Sequence, residues 1–198
     1  MSLHDDVTER LLSQAEQLRL DGMYEEALVI LEQILVRDPD NVVALEEVAD
    51  NELSLERYDR AERAARRAIA VDSESFDAHY ILGFIASHRE QWSESVLSLK
   101  FANQLEPNNP EILRCLGWSL FSGGDPVAGM VTLERALNLE PENPLTLCDL
   151  GVAYLKQKDF EKSRALLRRA LDLDPQNVRA RECLDMADRI QQRVEEEK

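Results

Sequence analysis

The sequence is poor in the patterns that most enzyme chemistry requires. Its seven glycines form no phosphate-cradling loop and no nucleophile elbow. Its three histidines, His4, His79 and His88, form no paired-histidine helix motif. No catalytic residue emerges, and an unaided enzyme is not expected. Positive charge is also short, with 23 Lys and Arg against 39 acids and a formal charge of −16. Nucleic acid and anionic membrane both demand a basic footprint, so neither is an expected partner. A basic protein ligand remains allowed. No apolar run approaches the roughly 20 residues of a membrane-spanning helix. The start, Met1-Ser2-Leu3-His4-Asp5-Asp6, has neither a basic n-region nor an apolar h-region, which makes the cytoplasm the expected location. Cysteine is limited to Cys115, Cys148 and Cys183, an odd number at spacings of 33 and 35 residues. That spacing matches no short metal-ligand motif. Packed helix axes lie about 8–10 Å apart, whereas disulfide Cα atoms need roughly 4.4–6.8 Å. Three free thiols are expected, with no metal and no cofactor.

What is present is a period. Pro39, Pro107, Pro141 and Pro175 are separated by 68, 34 and 34 residues, and Ser73 takes the missing beat. Each marks a short polar break such as Leu105-Glu106-Pro107-Asn108-Asn109-Pro110. Between breaks the apolar spacing is helical: Ala27, Ile30, Leu31, Ile34 and Leu35 share a face. First helices are predicted to begin near the N-cap residues Asn41, Ser75, Asn109, Asn143 and Asn177, with Pro110 and Pro144 in the first turn. Second helices are predicted from Tyr58, Trp92, Pro126 and Phe160, with Asp125 and Asp159 as caps. Asp21-Gly22 ends the opening helix, the glycine being free to turn left-handed.

The period also aligns positions with one physical demand each. Ala15, Ala49, Gly83, Gly117 and Gly151 are all small, as are Ala27, Ala61, Ser95, Gly129 and Ser163. Two helix backbones must approach closely there. Ala68, Ala102, Ala136 and Ala170 form a third small set, and Leu31, Leu99, Leu133 and Leu167 are filler. Repeat 2 departs most: Glu52 falls where Leu18, Leu120 and Tyr154 stand, so this unit is either drift filled by Leu53 or Leu55, or a soft joint.

A 34-residue helix–turn–helix with small, large and proline positions in this order resembles the tetratricopeptide repeat. The fifth unit matches best, with Leu147, Leu150-Gly151, Tyr154, Ser163, Leu167 and Pro175. The resemblance implies an all-α, right-handed superhelical solenoid whose first helices line a concave groove. Five repeats are expected at 8–41, 42–75, 76–109, 110–143 and 144–177, after a flexible segment 1–7 and before a capping helix and charged tail at 178–198. In the cap, Leu184, Ala187, Ile190 and Val194 form a narrow stripe that covers the last repeat.

The candidate site is that groove. A second apolar stripe marks repeats 3 to 5: Tyr80 and Phe84, then Trp118 and Phe121 with Arg114 one turn earlier, then Leu145, Cys148, Val152 and Leu155. Repeats 1 and 2 are acidic on the same face, through Glu9, Glu16, Glu46, Glu47 and Asp50. The aromatic rings are expected to be at least partly exposed. The function expected is non-enzymatic binding of a protein or peptide segment with apolar anchors and basic residues. The stripe alternatively packs on neighbouring first helices. A self-assembling scaffold and homo-oligomer, or an accessory subunit docking by its convex side, are the competing readings. Arg57, Arg60, Arg63, Arg66 and Arg67 are either an ion-pair face with Glu56, Asp59 and Glu62 or a docking patch for an acidic protein. Some relatives clamp the carboxylate tail of heat-shock chaperones with Lys, Asn and Arg. No frame of this sequence supplies those cations, so that ligand is not expected.

Overall fold

The computed structural model describes residues 3–196, and side chains over 7–190 and at 193. All regular structure among these residues is helical: α1 Leu3–Leu20, α2 Tyr24–Arg37, α3 Val42–Ser54, α4 Tyr58–Val71, α5 Phe76–His88, α6 Trp92–Leu105, α7 Pro110–Ser122, α8 Pro126–Leu139, α9 Pro144–Lys156, α10 Phe160–Leu173 and α11 Val178–Glu196. The chain forms two compact units, Met1–Glu106 with α1–α6 and Pro107–Lys198 with α7–α11. Within each, consecutive helices pack on one another.

Helix starts are chemically specified. Asn41, Ser75, Asn143 and Asn177 each accept the N–H three residues on, and Asn109 accepts from both Glu111 and Ile112. Asp125 and Asp159 cap α8 and α10 in the same way. Each such cap contributes about 1 kcal/mol by satisfying an orphan donor. The turns inside the pairs repeat as well. Gly22, Glu56, Glu90, Gly124 and Lys158 all have positive φ, between 57° and 104°. Sequence reasoning found only the Gly22 member, because Glu and Lys give no left-handed signal. The helix α1 is already formed at Leu3, ahead of the Val7 start expected after a flexible segment. The expectations on Met1, Ser2, the Val194 side chain and the solvated end at Lys198 lie outside the described residues.

The small positions lie where helices cross. Ala15, Ala27, Ala49, Ala61, Ser95 and Ser163 are fully buried. Ser95 Oγ donates to the Gly83 carbonyl at 2.7 Å, so the hydroxyl itself is a crossing contact. A Cβ on Gly129 would lie 2.5 Å from Phe121 N and 2.7 Å from the Gly117 carbonyl oxygen. A Cβ on Gly83 would meet chiefly the Leu99 side chain. Leu31, Leu99, Leu133 and Leu167 are all 0 % exposed.

Repeat 2 resolves its misfit with charge. Glu52 is buried, with Arg57 at 3.6 Å and Arg60 at 3.5 Å, while Leu53 packs on the core of the unit. The arginine face of α4 is an ion-pair ladder. Arg57 binds Glu25, Arg66 holds Glu62 at 2.8 Å, and Arg89 reaches Asp59 and Glu62 at 2.7 and 2.6 Å. At the far end α11 buries Ala180 and Ala187 and packs Cys183 and Leu184 on Leu147, Leu167 and Ala170. Arg181 and Asp185 point away, and Asp188 faces Arg164 and Arg168 at 3.5 and 3.8 Å.

Glycine-to-alanine substitution separates rigid from yielding crossings. Gly129→Ala meets backbone and should lose about 3 kcal/mol, the upper end of overpacking costs. Gly83→Ala meets chiefly the buried Leu99 side chain, and the helix-propensity gain of about 1 kcal/mol should offset part of the overpacking, so its loss should be smaller than that of Gly129→Ala. Urea unfolding of both variants checks the order, and equal losses would contradict it.

Candidate functional site

The groove phases place four residues of each first helix on one face, at i, i+3, i+4 and i+7. In α3 these are Val43, Glu46, Glu47 and Asp50, and in α5 Asp77, Tyr80, Ile81 and Phe84. Together with Arg19 of α1, all but Phe84 of these line a cleft of about 340 Å³ in the first unit. Glu46, Glu47 and Asp50 are half-buried and Asp77 lies at the exposed rim. Arg19 sits 3.3 Å from Glu47 and 3.4 Å from Asp50. Glu46 accepts from Ser75 Oγ at 2.5 Å, which ties it to the start of α5. Tyr80 supplies a ring on the wall, 6.3 Å from that of Phe84.

One guanidinium does not offset four carboxylates. Burial raises the pKa of Glu47, with Arg19 opposing, and burial raises that of Asp50. For Asp77, burial of the carboxyl and then the charges of Glu46, Asp50 and Glu47 push the pKa up to about 6. The cleft is an anionic site short of cations.

The second unit uses the same phases differently. Here they hold Glu111, Arg114, Cys115 and Trp118 on α7, and Leu145, Cys148, Asp149 and Val152 on α9. Asp149 is only 2 % exposed, and it accepts from Arg114 Nη1 at 2.9 Å and Arg179 Nη1 at 2.6 Å. Arg114 also binds Glu111. The Arg179 guanidinium lies 4.2 Å from the centre of the Trp118 ring, and Lys156 Nζ lies 5.4 Å from it. These cations already occupy the aromatic face.

Of the four rings expected to be at least partly exposed, Tyr80, Phe84 and Trp118 are half-buried, and only Phe121 departs by being buried. Phe121 is 7 % exposed and packs with Leu133, Leu150 and Ala153. Val152 and Leu155 are likewise buried. Trp118 is half-buried at the edge of two core clusters, while Leu145 remains exposed. The physical reason is angular. Three residues advance a helix by about 300°, so Phe121 is turned some 60° from Trp118, toward the core. Tyr80 and Phe84 are half-buried, and Tyr80 packs against the first unit's core. Asp77, Arg19 and Arg179 were missed as site residues. Asp77 shares the phase of Val43 and Leu145, so the 34-residue register was the signal that could have found it. Arg19 and Arg179 reach in by length, which periodicity does not show. Burial raises the pKa of Cys148 to about 11 and also raises that of Cys183. Both are thiols rather than thiolates at neutral pH.

Family models described as tetratricopeptide repeat match residues 47–110 and 120–183. The solved structures that resemble this one include TTC0263, a thermophilic TPR protein in Thermus thermophilus, at 21 % identity and TM-score 0.72, covering 91 % of this chain and 98 % of that one. PilF of Pseudomonas aeruginosa is 18 % identical with TM-score 0.75, covering 96 % and 92 %. YrrB, a TPR protein with an unusual peptide-binding site, is 22 % identical with TM-score 0.65, covering 87 % and 89 %. No curated protein sequence matches the chain. The chain belongs to the tetratricopeptide repeat family, a family of generally non-catalytic repeat scaffolds, and is a protein–protein interaction module. Among the described residues no helix is long and apolar enough to cross a membrane.

Two substitutions test the electrostatics. Asp149→Ala leaves Arg114 and Arg179 without their shared anion. It should cost roughly 3 kcal/mol in urea unfolding, the lower end for one partner of a buried pair, because Arg179 is partly exposed. Asp77 is the opposite case. Its folded pKa is raised, so the fold binds the proton more tightly than the unfolded chain. Stability from this group is gained as pH falls from about 6 toward the unfolded value near 3.8, and lost as pH rises. Asp77→Asn should thus be stabilising at pH 7, with the advantage shrinking toward pH 4. Paired melting curves across that range check it, and an advantage that grows at low pH would contradict it.

Proposed function

We propose that the first unit binds a protein segment bearing Lys or Arg in the cleft of Glu46, Glu47, Asp50 and Asp77. The observation that carries this is the cation deficit, four carboxylates lining one cleft against the single Arg19. A ligand ammonium or guanidinium relieves a repulsion already present in the free protein. It gains attraction without first breaking a satisfied ion pair. Tyr80, Val43 and Ile81 provide an apolar wall for an aliphatic neighbour of the basic residue. The second unit has no such deficit, because Asp149 and Trp118 are already engaged by Arg114, Arg179 and Lys156. In this reading the ligand lays its basic residues against the acidic face. Its apolar anchors belong beside Tyr80 and not on Phe121.

The probe is a labelled peptide of alternating Leu and Lys or Arg residues, followed by fluorescence anisotropy. Neutralising the cleft with Glu46→Gln, Glu47→Gln and Asp50→Asn should weaken binding at least about tenfold, roughly 1.4 kcal/mol. The same peptide with Glu in place of the bases should not bind. A bound cation lowers the pKa of Asp77, so affinity should fall as pH drops from 7.5 to 5.5. Unchanged affinity in the neutralised protein would remove the cleft from consideration.

A further inference from the structure

We propose that the outward face of α11 pairs antiparallel with the same face of a second copy of this chain. The face comprises Glu182, Asp185, Met186, Arg189, Ile190 and Arg193, which recur at i, i+3, i+4, i+7, i+8 and i+11 and line one surface. It is distinct from the inner stripe of Ala180, Cys183, Leu184 and Ala187, which packs on the rest of the unit, while Ile190, expected in that stripe, is half-buried and lines the outer surface instead. Glu182, Asp185, Arg189 and Arg193 are exposed, and Met186 is 55 % exposed.

The charge order commits the occupant. Both acids precede both bases along the helix, with Met186 between them and Ile190 beside the bases. An antiparallel copy centred between Met186 and Arg189 sets Glu182 against the partner's Arg193. The same rotation sets the partner's Glu182 against Arg193, and Asp185 comes within reach of the partner's Arg189. Met186 and Ile190 then face the middle of the contact from both sides. A twofold axis requires such a self-complementary patch, and a parallel pairing would instead oppose like charges.

The neighbouring charges on α11 are already engaged within the chain. Arg179 binds Asp149, Arg181 donates to the Pro175 carbonyl, and Asp188 faces Arg164 and Arg168. Among the described residues, none of Glu182, Asp185, Arg189 and Arg193 forms an ion pair, although Asp185 and Arg189 are one turn apart. The contact spans about three helical turns, so it belongs with small, reversible interfaces.

Sedimentation equilibrium of the whole chain at 0.15 M salt tests this. At that ionic strength a Debye length of about 8 Å screens the net charge but not contact pairs. The weight-average mass should rise from monomer toward dimer between about 10 and 500 μM, within the micromolar-to-millimolar span of weak complexes. Two charge-reversed proteins follow, one with Glu182→Arg and Asp185→Arg, the other with Arg189→Glu and Arg193→Glu. Each alone should associate at least about tenfold more weakly. Mixed in equal amounts they should recover a heterodimer, because each reversed half meets its complement. Helical circular dichroism should be unchanged in both, since the four side chains are exposed. Where a double variant does not fold, Glu182→Arg and Arg193→Glu singly carry the same comparison. A wild type that stays monomeric throughout overturns the proposal. So do reversed variants that dimerise like wild type, or a mixture that does not recover.

Discussion

The close crossing of paired helices is the constraint on which everything else in this structure depends. A repeat has no core of its own beyond two helices and what its neighbours add. Burying Leu31, Leu99, Leu133 and Leu167 completely requires that backbones come within a methyl group of one another. Small residues at two positions per repeat make this possible. Where both are glycine, as at Gly117 and Gly129, main chain lies within 3.0 Å of either missing Cβ, and at Gly129 main chain alone sets the fit. Where one is serine, as at Ser95, the hydroxyl becomes part of the crossing by bonding the opposite carbonyl. Phe121 packs beside Leu133 under this tightest crossing, which is why an aromatic ring there belongs to the core.

Most of the fold was legible in the sequence because period, caps and small residues are local signals that repeat. Asn41, Ser75, Asn109, Asn143 and Asn177 marked the first-helix starts, and each is seen accepting from its helix. The site was less legible for a geometric reason. Apolar residues at helical spacing define a stripe, but not which of two adjacent stripes faces solvent. Trp118 and Phe121 are three apart, enough to put one at the surface and the other inside. Reading Phe121 and Leu155 against their equivalents Arg19 and Leu53 would have shown a phase shared by no single chemistry. Long side chains are the other blind spot: Arg179 reaches Trp118 and Asp149 from another helix, and no spacing rule anticipates it.

Charge shows how one scaffold supports two uses of the same positions. Asp149 of α9 and Glu47 of α3 share one position of the 34-residue register, with Asp50 one turn beyond Glu47. Asp149 is bracketed by two guanidiniums and almost completely covered. Asp50 shares a single Arg19 with Glu47 and remains partly open. A buried carboxylate with two hydrogen-bonded guanidiniums is structural, because removing it strands the partners. A carboxylate that must share its counter-ion with its neighbours keeps a residual attraction for an added cation. Counter-ion supply thus separates the two units electrostatically, a difference that apolar spacing alone does not show.

The arginine-rich face of α4 differs from the cleft, because most of its cations are already paired within the first unit. Arg57, Arg66 and Arg67 each have an anionic or carbonyl partner within the first unit, and Arg89 joins two acids at once. An incoming carboxylate there competes with ligands already in place and must displace them. Exposed ion pairs contribute little to stability individually, about 0–1 kcal/mol, but they remove charge from the recognition surface. In a chain of formal charge −16, the cleft at Asp77 stands out because four carboxylates line it with the single cation of Arg19.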